Sequence, residues 1–138
     1  MGTFRVRVRV FHLNDPGKTR ELEMLVDTGA SRTVIPRDVV DELGLRPEKR
    51  QKFTLADGTQ ITRDVAWIGI EHGGDSVHSL AILGEPGDSP VLGAITLEDL
   101  VLQVDPVAKV LRPAEQFLLA TAGSPVARGK GSTGPFRA

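Results

Sequence analysis

The chain has 138 residues, 40% hydrophobic and 25% charged, as one ordinary globular domain has, which excludes a wholly disordered or fibrous protein. The 17 basic and 18 acidic residues leave a net charge of -1, so no field of one sign marks nucleic acid as a partner. Cysteine is absent, which removes disulfides, thiol catalysis and thiolate metal sites.

The 15 Gly and 9 Pro are about 17% of the chain against a typical ~12%, which points to many turns and a mainly β fold. No apolar run approaches the ~18 residues of a membrane helix. The N-terminus enters an alternating pattern at once and lacks a signal-peptide core. The expectation is a soluble, cytoplasmic protein with no membrane partner.

Phe4 to Val10 alternate strictly, with Phe4, Val6, Val8 and Val10 on one strand face and Arg5, Arg7 and Arg9 on the other. The arginine stripe reads as a solvated face. Asn14-Asp15-Pro16-Gly17 is a turn signal, and a second strand over Arg20 to Val26 completes an antiparallel hairpin. After a break of small and hydroxyl residues, Pro36 opens a short helix. Its apolar face is Val39, Val40 and Leu43, and Gly44 ends it.

Phe53 to Ala56 and Ile61 to Ile70 read as strands around the Asp57-Gly58 turn pair, a projecting β-loop. Gly73-Gly74-Asp75 makes another turn before a strand over Val77 to Leu83. Val91-Leu92 is a short buried strand ending at Gly93, and Thr96 with Asp99 resembles a capping box for a helix over about 97–101. Leu102 to Val104 and Lys109 to Leu111 form a last hairpin. From Gly123 the composition turns to Gly, Ser and Pro with three basic residues. The reading is a domain over 1–122 and a flexible tail over 123–138. Phe117-Leu118-Leu119-Ala120 fits strand and helix alike.

The informative segment is Leu25-Val26-Asp27-Thr28-Gly29-Ala30-Ser31. An acid placed where an apolar strand ends needs a reason beyond solvation. Gly29 lets the backbone turn sharply, Thr28 supplies a hydroxyl that can lock a loop, and Ala30 permits close packing.

This segment resembles the active-site motif of retropepsin-like aspartic peptidases, apolar-apolar-Asp-Thr/Ser-Gly-Ala. The Asp57-Gly58 hairpin resembles that family's flap, and Val91-Leu92-Gly93 its apolar-apolar-Gly strand, followed as there by a helix. The resemblance spans about residues 4–112. It implies a small closed β-barrel with one or two short helices. The catalytic residue is then Asp27, in a loop with Thr28, Gly29 and Ala30. Ser31 and the flap residues Ala56, Asp57, Gly58 and Thr59 hold substrate, and Leu92 and Gly93 lie beneath as support. Viral members have a glycine-rich flap tip and often an acid soon after the motif; here Ser31 and Arg32 take that place. The pattern is nearer to the small retropepsin-like domains of cellular organisms.

Chemistry of this type needs two carboxylates facing across one water, one protonated and one not, because both cannot ionise at ~3 Å. The chain holds one Asp-Thr-Gly and no second copy. The mate must come from an identical subunit, so the expected form is a homodimer acting on a peptide or protein substrate without metal or cofactor. The alternative is a non-proteolytic peptide-binding or dimerisation module on the same fold. Intact Asp27-Thr28-Gly29 speaks against it.

Other signals are weaker. His12, His72 and His78 have no spacing that puts three metal ligands on one element. Gly123 to Thr133 lacks the strand, helix and hydroxyl of a phosphate-binding loop. Trp67, the only tryptophan, is expected in the core.

Overall fold

The computed structural model describes residues 3–115. The expected domain limit at 122, the Phe117 to Ala120 segment and the 123–138 tail lie outside the described residues. Strand β1 (Arg5–His12) and strand β2 (Asp15–Val26) form the first hairpin. Alternation sets their faces: Val8 and Val10 are buried while Arg5, Arg7 and Arg9 are exposed. Arg9 meets Glu21 at 3.6 Å and Glu71 at 3.3 Å, so the stripe is largely paired on its own sheet.

The turn is tighter than expected, at Leu13–Asn14. Phe11 lies opposite Thr19 but His12 opposite Asp15, so Pro16, Gly17 and Lys18 are accommodated in a register shift. A bulge tolerates Pro16, which has no N–H to give a ladder.

Strand β3 (Val34–Ile35) leads to helix α1 (Arg37–Leu43), which buries Val39, Val40 and Leu43. Pro36 stands at its N-cap, and Gly44 closes it with φ 68. Strands β4 (Lys49–Thr54) and β5 (Gln60–His72) make the projecting hairpin. Gly73 and Gly74, at φ 60 and 84, supply the two left-handed positions of a tight turn into β6 (Asp75–Leu83).

Strand β7 (Val91–Leu92) precedes helix α2 (Ala94–Asp99), and β8 (Leu102–Asp105) pairs with β9 (Val110–Pro113). Helix α2 thus starts earlier than the 97–101 expected from a capping box. Gly93 is its N-cap with no side-chain cap bond, and Thr96 lies inside the helix, fully buried. Its hydroxyl is used elsewhere, as described below.

The large sheet runs β1-β2-β7-β3-β6-β5-β4, and β1 also pairs with β5. Six strands therefore close a ring of hydrogen bonds, with β4 as an outer arm. At the closing pair Phe11↔Gly69, the Phe11 ring fills the place a Cβ on Gly69 would take. Inside lie Val10, Met24, Ile35, Ile68, Leu83 and Leu92, each nearly solvent-free. Trp67 corrects the expectation. It is 52% exposed, because Ala66 and Ile68 hold the inward positions of β5 and turn the indole to the outer face.

Candidate active site

Asp27 follows directly on Val26, where β2 ends. Its N–H donates to the Leu92 carbonyl at 3.2 Å, and its own carbonyl accepts the Ala30 N–H at 3.1 Å. Its Oδ1 accepts the Gly29 N–H at 2.9 Å. A Cβ on Gly29 would stand 3.2 Å from that same oxygen, so glycine eases the close return of the chain. The loop is also clipped to α2. Ala94 N–H donates to the Ala30 carbonyl at 2.7 Å, and Ile95 N–H to the Ser31 carbonyl at 3.1 Å. Amides at a helix start lack partners within the helix, and here the Asp27 loop supplies them.

Asp27 and Ala30 are half-buried, whereas Thr28, Gly29 and Ser31 are exposed. The hydroxyls of Thr28 and Ser31 face solvent with no bond among the described residues.

Beneath the loop, Leu92 is fully buried and Gly93 is wedged against the chain at Arg32 and Thr33. A Cβ on Gly93 would lie 2.6 Å from the Arg32 carbonyl carbon and oxygen. Only glycine fits. The Gly93 N–H donates to Thr33 Oγ1 at 3.0 Å. Thr33 Oγ1 stands 2.6 Å from Thr96 Oγ1, which stands 2.8 Å from Ser79 Oγ. With its lone pair taken by Gly93, Thr33 is free to donate to Thr96, and Thr96 to Ser79. All three hydroxyls are buried.

This network was missed from sequence. Ser79 shares its strand parity with inward Ala81 and Leu83, and Thr33 with inward Ile35. That parity was the available signal.

Register builds a surface beside Asp27. Leu25 pairs with Val91, Val91 with Val34, Val34 with Ile82, and Ile82 with Val65. Directly paired residues share a sheet face, so these five form one apolar row across the strands. Leu25, Val91 and Val34 remain half-exposed. Leu25 is two residues before Asp27, so the row begins next to the Asp27 loop.

Ala56, Asp57, Gly58 and Thr59 are brought together at the β4–β5 tip, all exposed. The tip is held locally. Leu55 N–H donates to the Thr59 carbonyl at 2.7 Å, and Thr59 N–H to Asp57 Oδ1 at 2.9 Å. That amide, with the Thr59 hydroxyl, holds the Asp57 carboxyl below the usual range. Gly58 has φ 88, which favours glycine. Within one protomer no hydrogen bond links this tip to the Asp27 loop among the described residues. A groove of about 400 Å³ between α1 and residues 86–88 includes none of the predicted site residues. Among the described residues no cluster of His, Asp and Glu suits a metal ion, and no helix is long and apolar enough to cross a membrane.

The family model "gag-polyprotein putative aspartyl protease" matches residues 17–99, more than half of the chain. The chain belongs to this retroviral-type aspartyl protease family. The matched span runs from β2 through the Asp27 loop and the β4–β5 hairpin to the end of α2. Among solved structures, the solution structure of Simian Foamy Virus (mac) protease is similar at 18% identity and a TM-score of 0.49. It covers 70% of this chain and 94% of that one. No curated protein matches.

Proposed function

We propose that the protein is an aspartic endopeptidase that works as a twofold homodimer with one Asp27 from each subunit. The observation that carries this reading is the fixed placement of Asp27. Its backbone is tied to β7, its carboxylate takes the Gly29 amide, and an apolar row lies alongside. Membership of an aspartyl protease family supports it.

The paired carboxylates share one proton because like charges so close cannot both ionise. The ionised one takes a proton from a water between them, and that water attacks the scissile carbonyl. The protonated one gives its proton to the carbonyl oxygen, and a proton then passes to the departing nitrogen. Thr28, exposed and without a side-chain hydrogen bond among the described residues, braces the loop of the other subunit. The Gly29 backbone and Ser31 bind an extended peptide. The Ala56 to Thr59 tips close over it and exclude water. The Leu25, Val91 and Val34 row favours apolar residues beside the scissile bond. A chain free of cysteine suits a cytoplasmic setting, which belongs to the proposal.

The test is cleavage of unfolded casein, with and without a peptidomimetic inhibitor of aspartic peptidases. Asp27→Asn abolishes cleavage and preserves the dimer in sedimentation. Persistent cleavage by that variant, or a wild-type protein that is monomeric at micromolar concentration while active, overturns the mechanism.

A further inference from the structure

Strand β4 is the last strand of the large sheet, paired on one side with β5 and on the other with no strand among the described residues. An open edge of this kind offers a row of N–H and C=O groups to another chain. The register says which groups those are. Leu55 gives its N–H to the Thr59 carbonyl, so Leu55 and Thr59 are a hydrogen-bonded pair. Such pairs alternate along an antiparallel ladder, so Phe53–Ile61 and Gln51–Arg63 turn their amides and carbonyls towards each other. The amides and carbonyls of Arg50, Lys52 and Thr54 therefore face the open side. All three residues are exposed.

The edge also carries an excess of one charge. From Arg46 to Thr54 the chain has the cations Arg46, Lys49, Arg50 and Lys52 and a single acid, Glu48. Asp64 takes Arg50 at 3.1 Å. Arg46, Lys49 and Lys52 hold no carboxylate among the described residues. The two faces of the strand differ. Arg50, Lys52 and Thr54 share one face, and Lys49, Gln51 and Phe53 the other, where Phe53 packs against Val65, Leu80 and Ile82.

A strand laid on this edge continues both faces, because directly paired residues lie on the same side of a sheet. Its side chains then meet Arg50 and Lys52 on one face and the margin of an apolar cluster on the other. A second copy of β4 is a poor occupant, since it would set cations opposite cations. The chain's own residues 123–138 carry three basic residues and no acid, so charge disfavours them as well.

We propose that the open edge of β4 docks an extended segment of another protein, added to the sheet as a further strand. The segment carries acidic side chains opposite Arg50 and Lys52 and apolar ones opposite Gln51 and Phe53. Asp27 takes no part, so the site stands apart from the peptidase reading.

The test uses the full chain, a capped peptide of alternating Glu and Val as the probe, and backbone amide exchange followed by NMR. In the free protein the Arg50, Lys52 and Thr54 amides exchange much faster than those of Gln51 and Phe53. The Glu–Val peptide slows exchange at the first three and binds about tenfold more tightly than a Lys–Val peptide. N-methylation of one alternate set of peptide residues abolishes binding and of the other set leaves it intact, because only one set aims its N–H at β4. Lys52→Pro removes an outward N–H and no ladder bond, so it keeps the fold and abolishes binding. Lys52→Glu keeps the fold and weakens the Glu–Val peptide about tenfold. The proposal is overturned if the three outward amides are already protected in the free protein, or if the Glu–Val peptide fails to bind at millimolar concentration. Equal affinity for the Glu–Val and Lys–Val peptides, equal effects of the two N-methylated sets, or displacement by the peptidomimetic inhibitor of aspartic peptidases overturns it too.

Discussion

The base of the Asp27 loop and the tip of the β4–β5 hairpin are built in opposite ways. The base is fastened to three distant segments. Leu92 takes the Asp27 amide, α2 gives two amides to the loop, and Thr33 joins Gly93 to Thr96 and Ser79 in the core. The tip, exposed throughout, is fastened among the described residues only to itself, through Leu55, Asp57 and Thr59. On the proposed reading, a carboxylate that has to meet a mate within hydrogen-bond distance calls for the first construction. On the same reading, a cover that has to open for substrate calls for the second. Tied to distant segments below and closed on itself above, the chain is built in a way that would separate positioning from access in the proposed enzyme.

The largest expected effect comes from breaking the base at Gly93. Gly93→Ala puts a methyl into the Arg32 carbonyl, a backbone atom that cannot swing away. The expected cost is about 3 kcal/mol in chemical denaturation, with loss of activity. Thr33→Val comes next. It leaves the Gly93 amide without an acceptor and breaks the hydroxyl chain to Thr96 and Ser79, at about 1–3 kcal/mol. A drop in kcat at nearly unchanged KM distinguishes positioning from binding, and Thr33→Ser restores both stability and rate.

Charge pairs rank lower. Arg63 beside Asp88, assisted by the Glu85 amide, holds that carboxyl below its ordinary value. The folded state then binds fewer protons. The pair's contribution is full above the unfolded carboxylate pKa of about 4 and is lost as pH falls through the lowered folded value. Asp88→Asn costs up to about 1 kcal/mol at neutral pH, and wild type and variant converge in acid. Asp99 has the reverse sign. Burial raises its pKa, so stability is gained as pH falls through that value, and Asp99→Asn is neutral or stabilising at pH 7. The smallest effect on stability is at the tip. Asp57→Ala, which loses a local bond at an exposed tip, lowers the denaturation midpoint only slightly, and if the tip covers substrate it changes KM more than kcat.

Local patterns made much of this readable in advance. Strict alternation placed Val8 and Val10 inside and the arginines outside. Gly44, Gly58 and Gly73-Gly74 marked turns because their left-handed backbone demands glycine. Asp27 stood out because an acid ended an apolar strand. What was not readable depends on partners far along the chain. Pro16 looked like the turn itself, yet the pairing of β1 with β2 moved the turn to Leu13–Asn14. Thr96 had the spacing of a cap, but its hydroxyl bonds residues 17 and 63 positions away. Trp67 was assigned by hydrophobicity alone, and parity with Ala66 and Ile68 placed it outside.

The central claim is that two copies of Asp27 serve one reaction, and subunit mixing tests it most directly. Wild-type protein is equilibrated with increasing Asp27→Asn protein at constant total concentration, and initial cleavage rates are recorded. If each site needs both carboxylates, the rate falls with the square of the wild-type fraction. A rate that falls in direct proportion to that fraction contradicts the account, since each subunit would then be working alone.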